Sequence, residues 1–212
     1  MKRAVLISGG VISDYEYIAS LIKTDDFILC ADSGIYHCTQ MKKKADVIVG
    51  DFDSANRNHI SEFALRNNAE VIELNPVKDY TDTEFGLDYL VERGYRDILL
   101  LGATGNRVDH MLSCIFLMEK YRKLNTRLII ADEKNILSYA TDETVFLCRN
   151  DMKYVSILPL EDSCVSSEGL KYPMMRTELK RASSLGISNE YTGDDASLTI
   201  FCGSVLIVES RD

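Results

Sequence analysis

The stretch Val47-Ile48-Val49-Gly50-Asp51-Phe52-Asp53-Ser54 decides the fold predicted for this chain. Its apolar start predicts a buried strand, and Gly50 predicts the point where the chain leaves the sheet. In an extended segment residues i and i+2 point the same way, so Asp51 and Asp53 can converge on one hard cation while Phe52 packs inward. Mg²⁺ favours such carboxylates together with waters and substrate phosphates. The alternative interpretation is an acidic loop that ends a strand.

The chain before and after this stretch alternates between short apolar runs and helical patterns. Thr81 with Glu84 three residues later is a capping-box pattern, which places Asp82 in the first turn of a helix. This alternation predicts an α/β domain with a mainly parallel, Rossmann-like sheet. The predicted strands are residues 4–7, 27–31, 45–49, 70–74, 97–101 and 127–131, and the predicted helices are about 14–23, 60–66, a segment after 81, and 108–121.

Beyond about residue 135 the pattern changes to short strand-like runs separated by polar or glycine turns. Such spacing is typical of an antiparallel sandwich or barrel. We therefore predict an α/β domain over residues 1–135 and an all-β sandwich over residues 136–212. The predicted strands of the second domain are residues 136–139, 144–148, 154–158, 196–201 and 204–209.

Polar clusters follow the predicted strands of the first domain. If these strands are parallel, the clusters share the sheet edge at which open α/β folds bind ligands. The clusters are Ser8-Gly9-Gly10, Asp32-Ser33-Gly34, Asp51 to Ser54, Asp79 to Asp82, and Gly102 to His110.

The last of these clusters lies between a predicted strand and a predicted helix. In that arrangement backbone N–H groups and the positive helix end can hold a phosphate, and Arg107 can add a bidentate contact. An ordinary tight connection is the alternative, and His110 is either a catalytic group or a capping or core histidine. The sequence thus contains acids that can bind a metal ion, and glycine loops and an arginine that can bind phosphate. Together they predict phosphoryl or pyrophosphoryl transfer from a nucleoside triphosphate.

Composition narrows the classes of protein further. A formal net charge of -9 argues against a general nucleic-acid binder, which would carry a basic stripe. Six cysteines without a C-x-x-C pair predict free thiols in a reducing compartment. No apolar stretch approaches the length of a membrane span, so we expect a soluble, cytoplasmic protein.

Motifs in order over most of the chain resemble those of the thiamine pyrophosphokinase family. The resemblance implies an N-terminal α/β domain, a C-terminal β-sandwich, a homodimer, and transfer of the terminal diphosphate of ATP to the thiamine hydroxyl with release of AMP. The motifs are Ala31-Asp32-Ser33-Gly34, residues 49–54, Lys78-Asp79-x-Thr81-Asp82, Leu101-Gly102-x-x-Gly105-x-Arg107-x-Asp109-His110, Gly169-Leu170-x-Tyr172-Pro173, and residues 184–190.

The resemblance also implies roles for individual residues. Asp51, Asp53 and Asp82 are similar to the magnesium-binding acids, and Asp79 lies beside them as a further catalytic candidate. Ser188 and Asn189 resemble thiamine contacts that complete a site across the dimer interface. The family's tryptophan against thiamine, present in eukaryotic members, has no counterpart because the chain lacks tryptophan. The residues assigned to ATP and its phosphates are Asp32, Ser33, Gly102, Thr104, Gly105, Arg107, Asp109 and His110.

Two other functions fit part of the pattern. A sugar-nucleotide transferase would use Asp51 and Asp53 on a metal diphosphate, but it leaves Gly102 to His110 unexplained. A non-catalytic sensor of nucleotide or thiamine would bind tightly without turnover.

Overall fold

The computed structural model describes residues 2–52 and 57–212. The chain divides into two compact units, Met1–Glu133 and Lys134–Asp212. The boundary predicted from the sequence lies between residues 135 and 136. None of the helices in the described part of the chain combines the length and the apolar character needed to cross a membrane.

The first unit alternates strands and helices. Its strands pair in parallel in the order β4-β3-β2-β1-β5-β6, which agrees with the pairing direction predicted from the sequence. The strand order reverses between β1 and β5, so a topological switch point lies there. The elements are β1 (Arg3–Ile7), α1 (Tyr15–Ser20), β2 (Phe27–Ala31), α2 (Gly34–Gln40), β3 (Val47–Gly50), α3 (Arg57–Asn67), β4 (Glu70–Glu73), α4 (Asp82–Glu92), β5 (Asp97–Leu101), α5 (Val108–Lys123) and β6 (Arg127–Ala131).

Helix α4 packs closely on the centre of this sheet. Leu6 of β1 and Leu29 of β2 are completely buried. A Cβ atom on Gly86 of α4 would lie 2.6 Å from Cδ1 of Leu6 and 3.0 Å from Cδ2 of Leu29. The absence of a side chain at Gly86 therefore lets the helix approach the strands, and this fixes the start of α4 near the sheet edge.

Local sequence signals account for two helix starts. The hydroxyl of Thr81 accepts a hydrogen bond from the Glu84 N–H at 3.1 Å, as the capping pattern predicts. The Asp14 carboxylate accepts one from the Tyr17 N–H at 2.9 Å and caps α1. Helix α1 ends at Ser20, so the prediction of a helix as far as residue 23 is too long.

The second unit contains strands only. One antiparallel sheet has the order β12-β9-β14-β7, and the other has the order β11-β10-β13-β8. Apolar residues of both sheets share one core, as a sandwich requires. The strands are β7 (Asn135–Thr141), β8 (Thr144–Cys148), β9 (Tyr154–Pro159), β10 (Ser163–Glu168), β11 (Thr177–Leu179), β12 (Asn189–Glu190), β13 (Asp195–Cys202) and β14 (Ser204–Ser210).

Candidate active site

A cavity of about 770 Å³ opens at the carboxyl ends of the strands of the first unit. Its size lies within the range of roughly 300–1,000 Å³ that is usual for small-molecule sites. The segments after β1, β2 and β5 line it together with the start of α4 and of α5. The predicted residues in its lining are Asp32, Ser33, Asp82, Gly102, Thr104, Arg107, Asp109 and His110.

Two glycine segments meet at the switch point between β1 and β5. The Gly10 N–H donates to the Gly102 carbonyl at 2.7 Å. Gly102 has a φ of +64°, and a Cβ atom on Gly10 would collide with the carbonyl oxygens of Gly102 and Thr104. Only glycine allows this approach of two backbones, which leaves main-chain groups at the cavity wall.

The segment after β3 differs from its prediction. Phe52 is buried as expected, but its φ of +55° is left-handed, so the segment is not extended. The prediction of an extended segment at Phe52 is therefore wrong. Asp53 lies outside the described residues. Asp32, after the neighbouring strand β2, is also left-handed with a φ of +49°.

Two carboxylates and one ammonium meet beside the cavity. Lys78 Nζ lies 3.2 Å from Asp82 Oδ1 and 3.4 Å from Asp51 Oδ2. Burial favours the neutral amine, but Asp82 and Asp51 together raise the pKa of Lys78, so the ammonium is retained. Burial raises the pKa of Asp32, and the charges of Asp82 and Asp51 add to this effect.

One carboxylate oxygen of Asp82 could bind a metal ion. Its Oδ1 atom is buried and has no well-aligned hydrogen-bond donor among the described residues, although Lys78 faces it as an ion pair. Within residues 2–52 and 57–212, no three His, Cys, Asp or Glu side chains form a metal site by themselves. Mg²⁺ is usually held by one or two carboxylates plus phosphates and water, so Asp51 and Asp82 are a suitable donor set.

Arg107 forms a two-point contact with Asp109 at the start of α5. Its Nε donates to Oδ1 at 2.9 Å and its Nη2 to Oδ2 at 2.6 Å. This guanidinium contact holds the pKa of Asp109 well below its usual range. Both side chains are largely exposed. An exposed pair contributes little to stability, so Arg107 can exchange Asp109 for an anionic ligand at small cost.

The remaining predicted residues of the first unit are spread around the cavity. His110 is exposed and lies in its lining, which excludes the interpretation as a core histidine. Gly105 has a φ of +137° and packs against Val11. Asp79 is exposed.

A histidine that the sequence did not indicate supports the first glycine segment. His37 Nε2 lies 2.7 Å from the Gly10 carbonyl, and Nδ1 lies 2.9 Å from the Tyr15 hydroxyl. A carbonyl only accepts, so Nε2 carries the proton and Nδ1 accepts from Tyr15. Burial lowers the pKa of His37, which favours this neutral form. The sequence signal that could have revealed His37 is a helix starting after Ser33, which would include this histidine.

The two predicted thiamine residues lie in the second unit and differ in exposure. Ser188 is exposed, with a φ of +56°. Asn189 is 2% exposed, and its side-chain amide bonds to the backbone N–H and carbonyl of Tyr172 at 2.9 and 2.8 Å. Asn189 therefore holds the segment that presents the exposed Tyr172.

These features define a class of protein. Its first unit is an α/β fold with a polar cavity at a switch point, and its second unit is a β-sandwich. Residues 18–130 match the sequence model of the thiamin pyrophosphokinase catalytic domain, and residues 143–207 match that of the thiamin pyrophosphokinase vitamin B1 binding domain. The chain belongs to the thiamin pyrophosphokinase family.

Individual relatives agree with this assignment. A thiamine pyrophosphokinase of Bacillus subtilis (strain 168) is 29% identical over 169 residues, which are 77% of each chain. Thiamin pyrophosphokinase 1 of Caenorhabditis elegans is 28% identical over 174 residues, which are 77% of this chain and 69% of the relative.

Solved structures share the fold. The crystal structure of thiamine pyrophosphokinase from Bacillus subtilis has a TM-score of 0.91 at 24% identity and covers 100% of both chains. That of thiamin pyrophosphokinase from Geobacillus thermodenitrificans has a TM-score of 0.87 at 26% identity, with 100% of this chain and 98% of the other covered.

Proposed function

We propose that this protein is a thiamine pyrophosphokinase, which transfers the β,γ-diphosphate of ATP to the hydroxyl of thiamine and releases AMP. The observation that carries the proposal is the match of two thiamin pyrophosphokinase domain models, in order, to the two successive parts of the chain. The cavity at the carboxyl edge of the sheet supports it, because Rossmann-like folds bind nucleotides at that edge.

In the proposed reaction the thiamine hydroxyl oxygen attacks the β-phosphorus of ATP. A new oxygen–phosphorus bond forms while the bond from the β-phosphorus to the oxygen bridging the α-phosphate breaks, and AMP leaves with that oxygen. The hydroxyl proton passes to a carboxylate. Of the candidates Asp82 and Asp79, Asp82 is supported because it lies in the cavity lining.

We further propose that Asp51 and Asp82 hold Mg²⁺, with Asp53 as the predicted additional ligand. Support comes from the buried Oδ1 atom of Asp82 and from the oxygen-only donor set. When bound, Mg²⁺ would neutralise charge on the phosphates of ATP.

The chain's own groups would position ATP. The glycine segments at Gly10 and Gly102 can present backbone groups to the phosphates, and Arg107 can turn from Asp109 to a phosphate. Asp32, Ser33, Thr104 and His110 lie in the same cavity lining and are proposed nucleotide contacts.

The proposal for thiamine rests on the second unit. Ser188 is the proposed direct contact, since it is exposed, whereas Asn189 would act by holding the Tyr172 segment. We also propose a cytoplasmic homodimer with its site completed at the subunit interface. All six cysteines are free, which supports a reducing compartment.

The deciding experiment is a reaction with pure protein, ATP, Mg²⁺ and thiamine. We expect thiamine diphosphate and AMP in equal amounts. Formation of ADP would overturn the pyrophosphoryl assignment, and binding without any product would indicate a sensor instead of an enzyme.

A further inference from the structure

The Lys78 ammonium occupies the position between the two acids proposed to hold a divalent cation. Its distances to Asp82 and Asp51 are 3.2 and 3.4 Å, and the Asn75 carbonyl accepts a third contact at 3.2 Å. The side chain of Lys78 is only 8% exposed. Lysine side chains are rarely buried to this extent unless acids pair with them. The burial of Lys78 therefore depends on its ion pairs with Asp51 and Asp82.

The charges at this position explain why the lysine is there. Burial raises the pKa of Asp32, and the negative charges of Asp82 and Asp51 raise it further. Three partly buried carboxylates without a cation repel one another, and one ammonium relieves part of that repulsion. A divalent cation on the same carboxylate oxygens would face the ammonium at short range, where two positive charges repel strongly.

We propose that Lys78 is a built-in counter-cation for Asp51 and Asp82 that leaves when a divalent metal binds, and that it thereby couples metal binding to nucleotide binding. The inference rests on the proposed Mg-ATP function. Lys78 lies in the cavity lining, and its flexible stem lets the released ammonium reach an anionic phosphate. A metal ion that binds alone must displace the Lys78 ammonium from its acids, and the ammonium gains no new partner. When the nucleotide binds with the metal, its phosphates become a new partner for the ammonium.

This coupling is reciprocal. If the nucleotide strengthens metal binding by giving Lys78 a phosphate partner, the metal strengthens nucleotide binding by the same factor. Lys78 thus acts against occupation of the site by metal alone.

The test measures binding without turnover. Mn²⁺ is titrated into the full-length protein and followed by electron paramagnetic resonance, with and without α,β-methylene-ATP, in which a methylene group replaces the oxygen between the α- and β-phosphorus atoms, so that the diphosphate cannot be transferred. In wild type we expect the nucleotide to tighten Mn²⁺ binding by at least about tenfold. In Lys78→Met we expect Mn²⁺ alone to bind about tenfold tighter and the nucleotide to add much less.

The chain offers a matched control. Lys120 also bridges two carboxylates, Glu84 at 2.9 Å and Asp88 at 3.0 Å, but it does not lie in the cavity lining. Lys120→Met should leave both Mn²⁺ affinities at their wild-type values. Lys78→Gln is the second test variant, since it removes the charge but keeps a hydrogen-bond donor, and circular dichroism establishes that each variant is folded.

The outcomes separate this inference from the proposed function. Equal Mn²⁺ affinity and equal nucleotide coupling in wild type and in the folded Lys78 variants would overturn the role of Lys78 and leave the proposed enzyme intact. A wild type that binds no Mn²⁺, with or without nucleotide, would overturn the proposed metal site and this inference together.

Discussion

Two clusters in the first unit each place one lysine between two carboxylates, yet their surroundings differ. Lys78 is 8% exposed between Asp51 and Asp82, whereas Lys120 is 39% exposed between Glu84 and Asp88. In the Lys120 cluster both ammonium contacts are hydrogen bonds, at 2.9 and 3.0 Å. In the Lys78 cluster the buried Oδ1 atom of Asp82 has no well-aligned donor among the described residues.

The difference distinguishes a cluster that stabilises the fold from the cluster proposed to bind a ligand. Tyr121, completely buried, donates its hydroxyl to Asp88 at 2.9 Å, so the Lys120 cluster joins α4 and α5 with its polar groups paired. Polar groups that serve the fold are normally satisfied within it. The buried Oδ1 atom of Asp82 without a well-aligned donor among the described residues supports the proposal that this carboxylate binds a ligand.

Removing one carboxylate of the Lys78 cluster should reduce activity strongly. Asp51→Asn should lower the rate of thiamine diphosphate formation by roughly a hundredfold or more, because it removes a charge proposed to hold the metal. Thermal unfolding should change little. Asp88→Asn, in the Lys120 cluster, is the matched control and should keep the rate; comparable losses in both variants would remove the distinction between the clusters.

The Lys120 cluster should respond in the opposite sense. Tyr121→Phe removes a buried hydroxyl that donates to a carboxylate, so the free energy of unfolding should fall by about 1–3 kcal/mol. The kcat of the enzyme should stay near wild type. Urea denaturation measures the loss, with Tyr154→Phe as control because that hydroxyl is exposed. Unchanged stability in Tyr121→Phe would show that the cluster does not hold the helices together.

A neutral hydrogen bond beside the cavity, from His37 to the Gly10 carbonyl, differs from both charged clusters. His37→Met removes the donor to the Gly10 carbonyl and should raise the KM for ATP by about fivefold, the equivalent of one ordinary hydrogen bond, with little change in kcat. His37→Gln retains an N–H donor and should recover most of the wild-type KM. If His37→Met and His37→Gln showed the same KM for ATP as each other, the hydrogen bond from His37 would not position the glycine segment.

The smallest effect concerns pH. Because burial lowers the pKa of His37 in the folded protein, the unfolded chain takes up a proton below its ordinary pKa of about 6.5 while the folded chain still resists it. The contribution of His37 to stability is therefore complete above about pH 6.5 and declines as the pH falls below that value. Between pH 7 and pH 5.5, the melting temperature of wild type should fall by about 1–2 °C more than that of His37→Gln. Parallel curves would contradict this.

The regular elements of the first unit were largely predictable. Apolar runs marked all six strands, and the Thr81 cap marked α4. Helix α2 was missed because it is short and its Ser33 cap makes no side-chain hydrogen bond. In the second unit the strands β10, β11 and β12 were missed. Strand β10 contains buried serines, and the Ser163 hydroxyl donates to the Glu161 carbonyl at 2.8 Å, a pairing that composition does not reveal.

The alternation of elements, the glycine turns and the positions of the acids follow from the sequence, since they depend on short-range preferences of the chain. Which side chains meet depends instead on long-range contacts in the folded chain. Asp51 follows β3 and Lys78 precedes α4, 27 residues apart, yet sheet register brings their charges to 3.4 Å. This distance cannot be read from the spacing of residues in the sequence. It is set by the pairing of strands and by the burial of α4 against the sheet.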